Sequence, residues 1–256
     1  MNEIRVMVTG SGSGVGQGII KSLRLSELPI KIIVADIDRY NAGFYTGDES
    51  VIIPKLENLT NCDQMINLLS EKDIDVLMVG SEYDLEFFAK FKNQIEEKLL
   101  TKVIVSSQSS VKIANDKYLT ACFLKENEIA VSDFWAPQNL DEAINIYTNY
   151  GKPMILKSRT GTSNRNVFLV ETAKKLKSLF NQVPNPMLQE VLAYSSEKLD
   201  SEYTCSIFKC FDGTILGPFT SRRTLKSGNS WVIEVDNFKE IYPMLLNIGE
   251  KFLPEI

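Results

Sequence analysis

The N-terminal part of the chain, up to about residue 110, alternates between strand-like and helix-like segments, and this alternation constrains the fold more than any other feature. Strand-like apolar runs lie at Ile4–Thr9, Lys31–Ala35, Ser50–Ile53, Asp75–Gly80 and Lys102–Ser106. Helical patterns lie at Ile19–Leu25, Cys62–Ser70 and Leu85–Leu100. Because parallel strands need a crossover between them, such alternation predicts a doubly wound parallel sheet.

A glycine-rich turn, GSGSGVGQG from Gly10 to Gly18, joins the first predicted strand to a helix, and Asp36 ends the second strand. One interpretation is a dinucleotide site, with phosphate at the helix N-terminus and a ribose hydroxyl on Asp36. The other is a tight turn with close packing and no nucleotide, since a lone glycine fingerprint is weak evidence. The chain has no matching catalytic Tyr–Lys pair, so an NAD-dependent oxidoreductase or epimerase is kept only as an alternative.

The remainder of the chain mixes helices with antiparallel strands. Helices are predicted at Asp116–Asn127, Leu140–Tyr150, Thr172–Phe180 and Phe238–Phe252. Extended segments are predicted at Ile129–Phe134, Met187–Leu192, Glu202–Phe211, Thr214–Ser221 and Trp231–Val235. The turn at Asp212–Gly213 favours a hairpin in the last part.

The segment Pro153–Glu171 reads as a second hairpin. An apolar run ends in Lys157, a loop of small polar residues follows from Ser158 to Asn166, and Val167–Val170 leads back. Backbone N–H groups and hydroxyls of such a loop can donate to phosphate oxygens, and the lysine supplies positive charge. An ordinary hairpin has the same composition, so the flanking sequence has to decide.

Composition excludes several function classes. The chain has no histidine, which removes Ser–His and Cys–His nucleophile pairs and histidine-ligated zinc. Its net charge of −5 argues against a general nucleic-acid binder. No run of about 18 apolar residues predicts a membrane span, and the N-terminus lacks a signal-peptide pattern. We therefore expect a cytoplasmic protein without nucleic-acid or membrane partners.

Four segments besides the N-terminal VTGSGSGVGQGIIKSL occur in an informative order: NDKY at 115–118, the hairpin, LQEV at 188–191 and SEYT at 201–204. This order resembles the ATP-grasp superfamily, and more narrowly the ATP-binding half of carbamoyl-phosphate-synthase-like carboxylate–amine ligases. The resemblance implies an α/β fold in which a Rossmann-like pre-ATP-grasp domain, residues 1–112, precedes an α+β ATP-grasp domain. It divides the latter into a small lid subdomain, 113–185, and a partial C-terminal subdomain, 186–256.

The resemblance also implies an ATP site. Lys117 and Lys157 match lysines that reach the phosphates, the latter also adenine N7. Gly161, Thr162 and Ser163 match the flap over the phosphates. The hinge matches Gln189, Glu190, Val191 and Leu192, with Glu190 and nearby main chain at the adenine amino edge and an apolar wall from Val191 and Leu192. Glu202 matches the acid that binds the ribose hydroxyls. Arg222 and Arg223 match an arginine segment that meets phosphate or substrate carboxylate, which makes them the catalytic candidates; the alternative for these two residues is an ordinary pair of salt bridges at the end of a hairpin.

The chain departs from the family pattern in three places. Asn166 stands where glycine often closes the flap, although Asn tolerates positive φ. Asn229 replaces a second glycine after the arginines. The late strands that hold Mg²⁺ in the family have no counterpart after Phe238, so we expect the Mg²⁺ ligands beyond this chain and favour a truncated ATP-grasp domain, incomplete at its C-terminus. The alternatives are a split-gene product that needs a partner chain and a protein that is not catalytic.

The sequence thus predicts the ATP-binding portion of an ATP-dependent ligase that forms an acyl phosphate from a carboxylate and transfers it to an amine. ATP and Mg²⁺ are the expected cofactors, the carboxylate and amine are not identified, and a homodimer is compatible with the sequence. A non-catalytic nucleotide-binding module is the main alternative.

Overall fold

A computed structural model describes residues 3–161, 166–192, 202–210, 212–226 and 229–252 of the 256-residue chain. The chain divides into two compact units, 1–111 and 112–256. Among the described residues, no helix is both long enough and apolar enough to cross a membrane.

The N-terminal unit is built on one parallel sheet. Its strands are β1 (Ile4–Val8), β2 (Ile30–Asp36), β3 (Glu49–Ile52), β4 (Val76–Met78) and β5 (Lys102–Ile104). They lie in the order β3-β2-β1-β4-β5, and every neighbouring pair is parallel. The helices are α1 (Gly14–Arg24), α2 (Asp63–Glu71) and α3 (Leu85–Lys98). The predicted doubly wound sheet is confirmed.

Two apolar clusters form the core of this unit. The larger cluster contains Met7, Ile33 and Leu77 of the sheet together with residues of α2 and α3, such as Leu69 and Phe88. The smaller cluster contains Val6, Val8, Ile32 and Val34, which alternate along β1 and β2 with residues of the larger cluster, together with Ile20 of α1. Since successive strand side chains point to opposite faces, each sheet face carries one cluster.

The glycine-rich turn brings α1 close to the sheet. A Cβ atom on Gly16 would lie 2.2 Å from the carbonyl oxygen of Gly10, so only glycine fits there. Helix α1 begins at Gly14, five residues before the predicted start, because the Ser13 hydroxyl accepts a hydrogen bond from Gly16 N (2.8 Å) and caps the helix. The close packing of α1 on this turn is therefore sufficient to explain why glycine is needed at Gly16, without a bound nucleotide.

The C-terminal unit contains a four-stranded sheet, β6 (Phe134–Trp135), β7 (Met154–Ser158), β8 (Val167–Val170) and β9 (Pro186–Glu190), in the order β6-β9-β7-β8. Its paired strands are antiparallel. The helices before and between these strands are α4 (Gln108–Asn115), which spans the boundary of the units, α5 (Lys117–Glu126), α6 (Leu140–Tyr150) and α7 (Ala173–Leu179). One face of the sheet packs on α6 and α7 through a buried apolar cluster that includes Leu156 and Leu188. This sheet extends past residue 185, where the sequence predicted a subdomain boundary.

A second antiparallel sheet follows, formed by β10 (Tyr203–Lys209), β11 (Ile215–Lys226) and β12 (Asn229–Val235) in that order. The last helix, α8 (Tyr242–Phe252), begins four residues after the predicted start because a short 3₁₀ turn, Lys239–Ile241, precedes it. A Cβ atom on Gly249 would lie 2.3 Å from Ile207 Cδ1, so α8 approaches β10 closely at this glycine. The mixed α/β fold class predicted from the sequence is confirmed.

Candidate nucleotide site

The loop between β7 and β8 leaves the sheet through backbone conformations that suit its sequence. Gly161 has φ +95° and Asn166 has φ +56°. Both values lie in the left-handed region, which glycine and, less readily, asparagine adopt. Asn166 therefore adopts the positive φ that the sequence analysis expected it to tolerate. The predicted flap residues Thr162 and Ser163 lie outside the described residues.

Lys157 projects from β7 on the face opposite to α6 and α7. Its neighbours Leu156 and Ser158 are buried, whereas Lys157 is half-buried. Its Nζ donates a hydrogen bond to Gln189 Oε1 (2.5 Å), and Gln189 Nε2 donates to Ser132 Oγ (2.5 Å). Burial lowers the pKa of Lys157, and the positive charge of Lys117 lowers it further. A partly desolvated ammonium group thus lies close to a second one.

Lys117 is the first residue of α5 and lies at the root of the flap. Its Nζ donates to the carbonyl oxygen of Gly161 (2.6 Å) and more weakly to that of Arg159 (3.4 Å). Its backbone N–H also donates to Arg159 O (2.9 Å). The N-terminus of α5 is therefore attached to the loop that follows β7.

An ion pair strengthens this attachment. Arg159 binds Asp116 through Nε and Nη2, at 3.0 and 2.5 Å from Oδ2, and its guanidinium group lies 4.9 Å from the centroid of the Tyr118 ring. Asp116 also caps α5 by accepting hydrogen bonds from the backbone N–H groups of Tyr118 (2.9 Å) and Leu119 (3.2 Å). Burial would raise the pKa of Asp116, but the hydrogen bonds from Arg159 and the helix backbone outweigh it and lower this pKa.

Gln189 and Glu190 lie on opposite faces of β9. Gln189 holds Lys157, whereas Glu190 is on the face of the buried Leu188, towards α6. There, Glu190 Oε2 accepts a hydrogen bond from Asp133 N (3.2 Å) and its carboxylate is hydrogen-bonded to Tyr150, whose pKa is raised by burial and then by the negative charge of Glu190. The Glu190 carboxylate thus binds Asp133 and Tyr150 on the face of the sheet opposite to Lys157.

The other predicted site residues lie directly after β9, directly before β10 and on β11. Val191 is half-buried and Leu192 is 60% exposed. Glu202 Oε1 lies 2.6 Å from Arg223 Nη2, so these two residues form an ion pair. Arg222 instead binds Glu234 (2.6 Å). Adjacent residues of a strand point to opposite faces, so the two arginines cannot both contact a ligand on one face.

The structure therefore brings together Lys117, Lys157, Gly161 and Gln189 in one cluster and Glu202 with Arg223 in another. Sequence reasoning missed Ser132, Tyr150 and Arg159 as parts of these arrangements, and used Asp116 only as a helix start and as a member of the NDKY segment. The Asp116–Arg159 contact spans 43 residues, and no local spacing signals it. Within the described ranges, no group of three or more His, Cys, Asp or Glu side chains could hold a metal ion.

Comparison with known proteins agrees with this architecture. Residues 114–203 match the family model of the RimK-like ATP-grasp domain. The carbamoyl phosphate synthase large chain of Methanocorpusculum labreanum is 22% identical over 191 residues, which are 70% of this chain and 18% of that protein.

Solved structures give the same result for the fold. The N5-carboxyaminoimidazole synthetase of Staphylococcus aureus, complexed with ADP, superposes with a TM-score of 0.77 at 16% identity over 97% of this chain and 63% of that one. The biotin carboxylase domain of the 2-oxoglutarate carboxylase of Hydrogenobacter thermophilus, a dimer in complex with MgADP, ADP and bicarbonate, superposes with a TM-score of 0.73 at 16% identity over 97% and 58%. This chain thus spans less than two thirds of the length of each of these proteins. The predicted resemblance to the ATP-grasp superfamily is confirmed.

Proposed function

We propose that this chain, which has the ATP-grasp fold, is the ATP-binding portion of an ATP-dependent ligase that joins a carboxylate to an amine. The family match to residues 114–203 covers α5, the flap and the end of β9, which are the elements that carry the lysine cluster. The S. aureus relative with the same fold was solved with ADP. Both observations support nucleotide binding at this cluster.

The observation that carries the proposal is the state of Lys157. A half-buried ammonium group usually has a carboxylate partner, because burying a charge is costly. Among the described residues, Lys157 forms no ion pair with a carboxylate, and its charge meets the Gln189 amide and the repulsion of Lys117. A phosphate group between the two lysines would offset both the desolvation and the repulsion.

The chain's own residues would act on ATP by binding and positioning. Lys157 and Lys117 would hold phosphate oxygens, and Gln189 would keep Lys157 directed away from the helices. Main-chain groups at the end of β9, followed by Val191 and Leu192, would receive the adenine. Glu202 would accept hydrogen bonds from the ribose hydroxyls while it remains paired with Arg223, since one carboxylate can accept several hydrogen bonds.

ATP supplies the phosphoryl group of the proposed reaction. A carboxylate oxygen of the substrate attacks the γ-phosphorus, the bond to the β-phosphate oxygen breaks, and ADP leaves. The amine then attacks the acyl carbon, the C–O bond to phosphate breaks, and the amine loses a proton. Electrostatic neutralisation by the two lysines and positioning of the reactants would provide the catalysis.

Magnesium does not fit the described residues alone, since no group of three or more of their acidic side chains is arranged so that it could hold a metal ion. We assign no step to a metal ion here and propose that its ligands come from residues outside the described part or from another chain. The same proposal includes an unidentified carboxylate and an unidentified amine as substrates and assembly as a homodimer or with a partner chain. It also includes domain limits at residues 112 and 185.

Replacing Lys157 with alanine tests the nucleotide site. We expect Lys157→Ala to weaken ATP binding about 10- to 100-fold, because a hydrogen bond to a charged group contributes about 1.5–3 kcal/mol. Isothermal titration calorimetry of the full chain with ATP and with ADP measures this change. Lys175→Ala is the matched control, since Lys175 is an exposed lysine of α7 that pairs with Glu171 (3.5 Å).

The control should leave the affinity for ATP within about twofold of the parent, as surface ion pairs contribute little. Equal affinities of the Lys157→Ala variant and the parent would refute the phosphate assignment. Absence of ATP binding by the parent chain would refute the proposed function as a whole. ADP formation in the presence of ATP and carboxylate would distinguish a ligase from a non-catalytic nucleotide-binding module.

A further inference from the structure

A second cleft, of about 540 Å³, lies in the N-terminal unit at the carboxyl ends of the parallel strands. Residues at or after the ends of β1, β2, β3 and β4 line it, among them Gly12, Asp36, Lys55 and Asp84. The sheet order reverses direction between β1 and β4. Doubly wound sheets bind their ligands in the crevice at such a reversal. This cleft therefore has the position at which doubly wound sheets bind their ligands.

The lining of the cleft is strongly acidic. It includes the four carboxylates of Asp36, Asp38, Glu57 and Asp84 but a single lysine, Lys55. Within the part of the chain that the structure describes, none of the four carboxylates forms an ion pair with Lys or Arg. Phosphate-bearing ligands would be repelled by this charge, whereas a cation would be attracted.

Asp84 is the residue that most directly indicates a ligand. It stands at the N-cap of α3, but its side chain makes no capping hydrogen bond, unlike Ser13 and Asp116 at the starts of α1 and α5. It is only 6% exposed and accepts a hydrogen bond from the buried Thr9 hydroxyl. Burial raises the pKa of Asp84, and the negative charge of Asp36 raises it further. The Asp84 carboxylate thus lines the cleft and binds Thr9 instead of capping α3.

The glycine-rich turn leaves little for a dinucleotide to bind. The N–H of Gly12 donates to Asp36 Oδ2 (2.8 Å), and the Ser11 hydroxyl donates to the same oxygen (3.3 Å). The other carboxylate oxygen of Asp36 accepts from Asp38 N (3.3 Å). The acid that would bind ribose is therefore engaged with the turn, and a turn N–H that would approach pyrophosphate is already used. The geometry gives no support to an NAD site.

The cleft also has apolar and aromatic walls. Ile53 and Leu56 are both 2% exposed and form part of its lining. Tyr83 lies at its edge and is 66% exposed, so its ring is accessible to a ligand, whereas the ring of Tyr40 already has the Arg39 guanidinium group 5.2 Å from its centroid. Aromatic faces attract organic cations, and apolar side chains accept hydrocarbon.

We propose that this cleft binds a small organic cation, namely a primary amine with an apolar body, whose ammonium group is received by Asp84 and Asp38, while the negative charge of Asp36 adds to the attraction without a direct contact. The hydrocarbon part lies against the Tyr83 ring and the apolar lining of the cleft. This site goes beyond the proposed nucleotide function and does not rest on it, because all of its residues belong to the N-terminal unit.

Ligands matched in shape test the charge preference directly. The full chain, without nucleotide, is titrated with 2-phenylethylammonium, with 2-phenylethanol as the neutral match and with 3-phenylpropionate as the anion, and backbone amide NMR shifts report binding. We expect the ammonium compound to bind at least about tenfold tighter than the alcohol, as charge-assisted hydrogen bonds are about twice as strong as neutral ones. The amide signals of Gly10 and Gly12 should shift, and the anion should not bind.

Two isosteric variants locate the site. Asp84→Asn and Asp38→Asn should each reduce the preference for the ammonium compound at least about threefold, the first variant more than the second. Asp73→Asn is the control, because Asp73 is exposed, lies outside the cleft and has φ +51°, which asparagine tolerates. Circular dichroism confirms folding, and Asp38→Asn retains the oxygen that accepts from Tyr40 N (2.9 Å).

Three results would overturn the proposal: equal affinity for ammonium and alcohol, a preference that survives both variants, or no saturable binding of the ammonium compound. Titration with ATP is run separately on the same samples. Loss of amine binding with retained ATP binding overturns only this inference, and the reverse overturns only the proposed nucleotide site.

Discussion

Gln189 and Glu190 show that the direction of a side chain on a strand decides whether it can contact a ligand at the candidate nucleotide site. They are neighbours on β9, yet one contacts the ammonium group of Lys157 and the other contacts Asp133 N and Tyr150 on the opposite face. A motif read as letters, LQEV, places both in a hinge and cannot say which side chain faces the ligand. The alternation of side chains along β9 answers this question, because the buried Leu188 packs against α6 and α7 and fixes which face each neighbour occupies.

We expect Glu190→Gln to leave the affinity for ATP within about twofold of the parent, since its side chain lies behind the sheet. Gln189→Leu should weaken ATP binding about threefold or more, because Lys157 would lose the amide that positions it. Calorimetry with ATP compares the two variants, which are adjacent and thus share their backbone environment. If Glu190→Gln lost as much affinity as Lys157→Ala, the assignment of faces would be wrong.

Among the elements, helices with visible caps were predicted best. Helix α6 begins and ends where the sequence placed it, because Asn139 caps its start (2.9 Å to Glu142 N) and Gly151 ends it at φ +69°. Helix α4 was missed, since QSSVKIAN has three consecutive polar residues and no clear apolar period. The Ser107 hydroxyl that accepts from Ser110 N (3.2 Å) marks its start only once the structure is known.

The junction of α5 with the flap was beyond sequence reasoning for a different reason. Lys117 and Gly161 were each assigned to the phosphates separately, and the structure adds the hydrogen bond between them. The Asp116–Arg159 pair then fixes the helix start to the flap root. Contacts between elements depend on the packing of the whole unit, which local propensities and spacings do not encode.

Asp116→Asn should therefore destabilise the protein by about 1–2 kcal/mol at neutral pH, since it loses the ion pair and keeps an oxygen that can cap α5. The folded-state pKa of Asp116 is below the usual 3.8, so its contribution is present above about pH 4 and is lost as the pH falls through the folded value. Urea denaturation from pH 7 down to pH 3 measures the difference between variant and parent. That difference should shrink at the acid end.

Asp141→Asn provides the comparison for this effect. Asp141 lies in the first turn of α6, is exposed and is not the capping residue. Its replacement should cost at most about 0.3–1 kcal/mol through the helix dipole. A gap between Asp116→Asn and the parent that stays constant down to pH 3 would contradict the ion-pair assignment.

At the scale of the whole molecule, the fold is conserved far more strongly than the sequence. Identities of 16% accompany TM-scores of 0.77 and 0.73. Such agreement is possible because the fold depends on apolar periodicity, turns and caps, which many sequences provide. The ligands depend on single charged side chains, which is why the acidic cleft in the N-terminal unit had to be found from coordinates rather than from the order of motifs.

The N-terminal unit should fold without the rest of the chain. Its five strands form one uninterrupted sheet, and each face carries a buried cluster drawn from residues 1–111 only. A chain of about 110 residues is within the usual size of an independent domain. We expect a fragment of residues 1–115, which retains all of α4, to unfold in one cooperative urea transition and to keep the amide NMR spectrum of these residues in the full chain.

The same fragment should also keep the preference for 2-phenylethylammonium over 2-phenylethanol, because every residue that lines the acidic cleft is within it. A fragment without a cooperative transition would show that the two units form one folding unit, and a folded fragment without that preference would show that the cleft needs residues from the C-terminal unit.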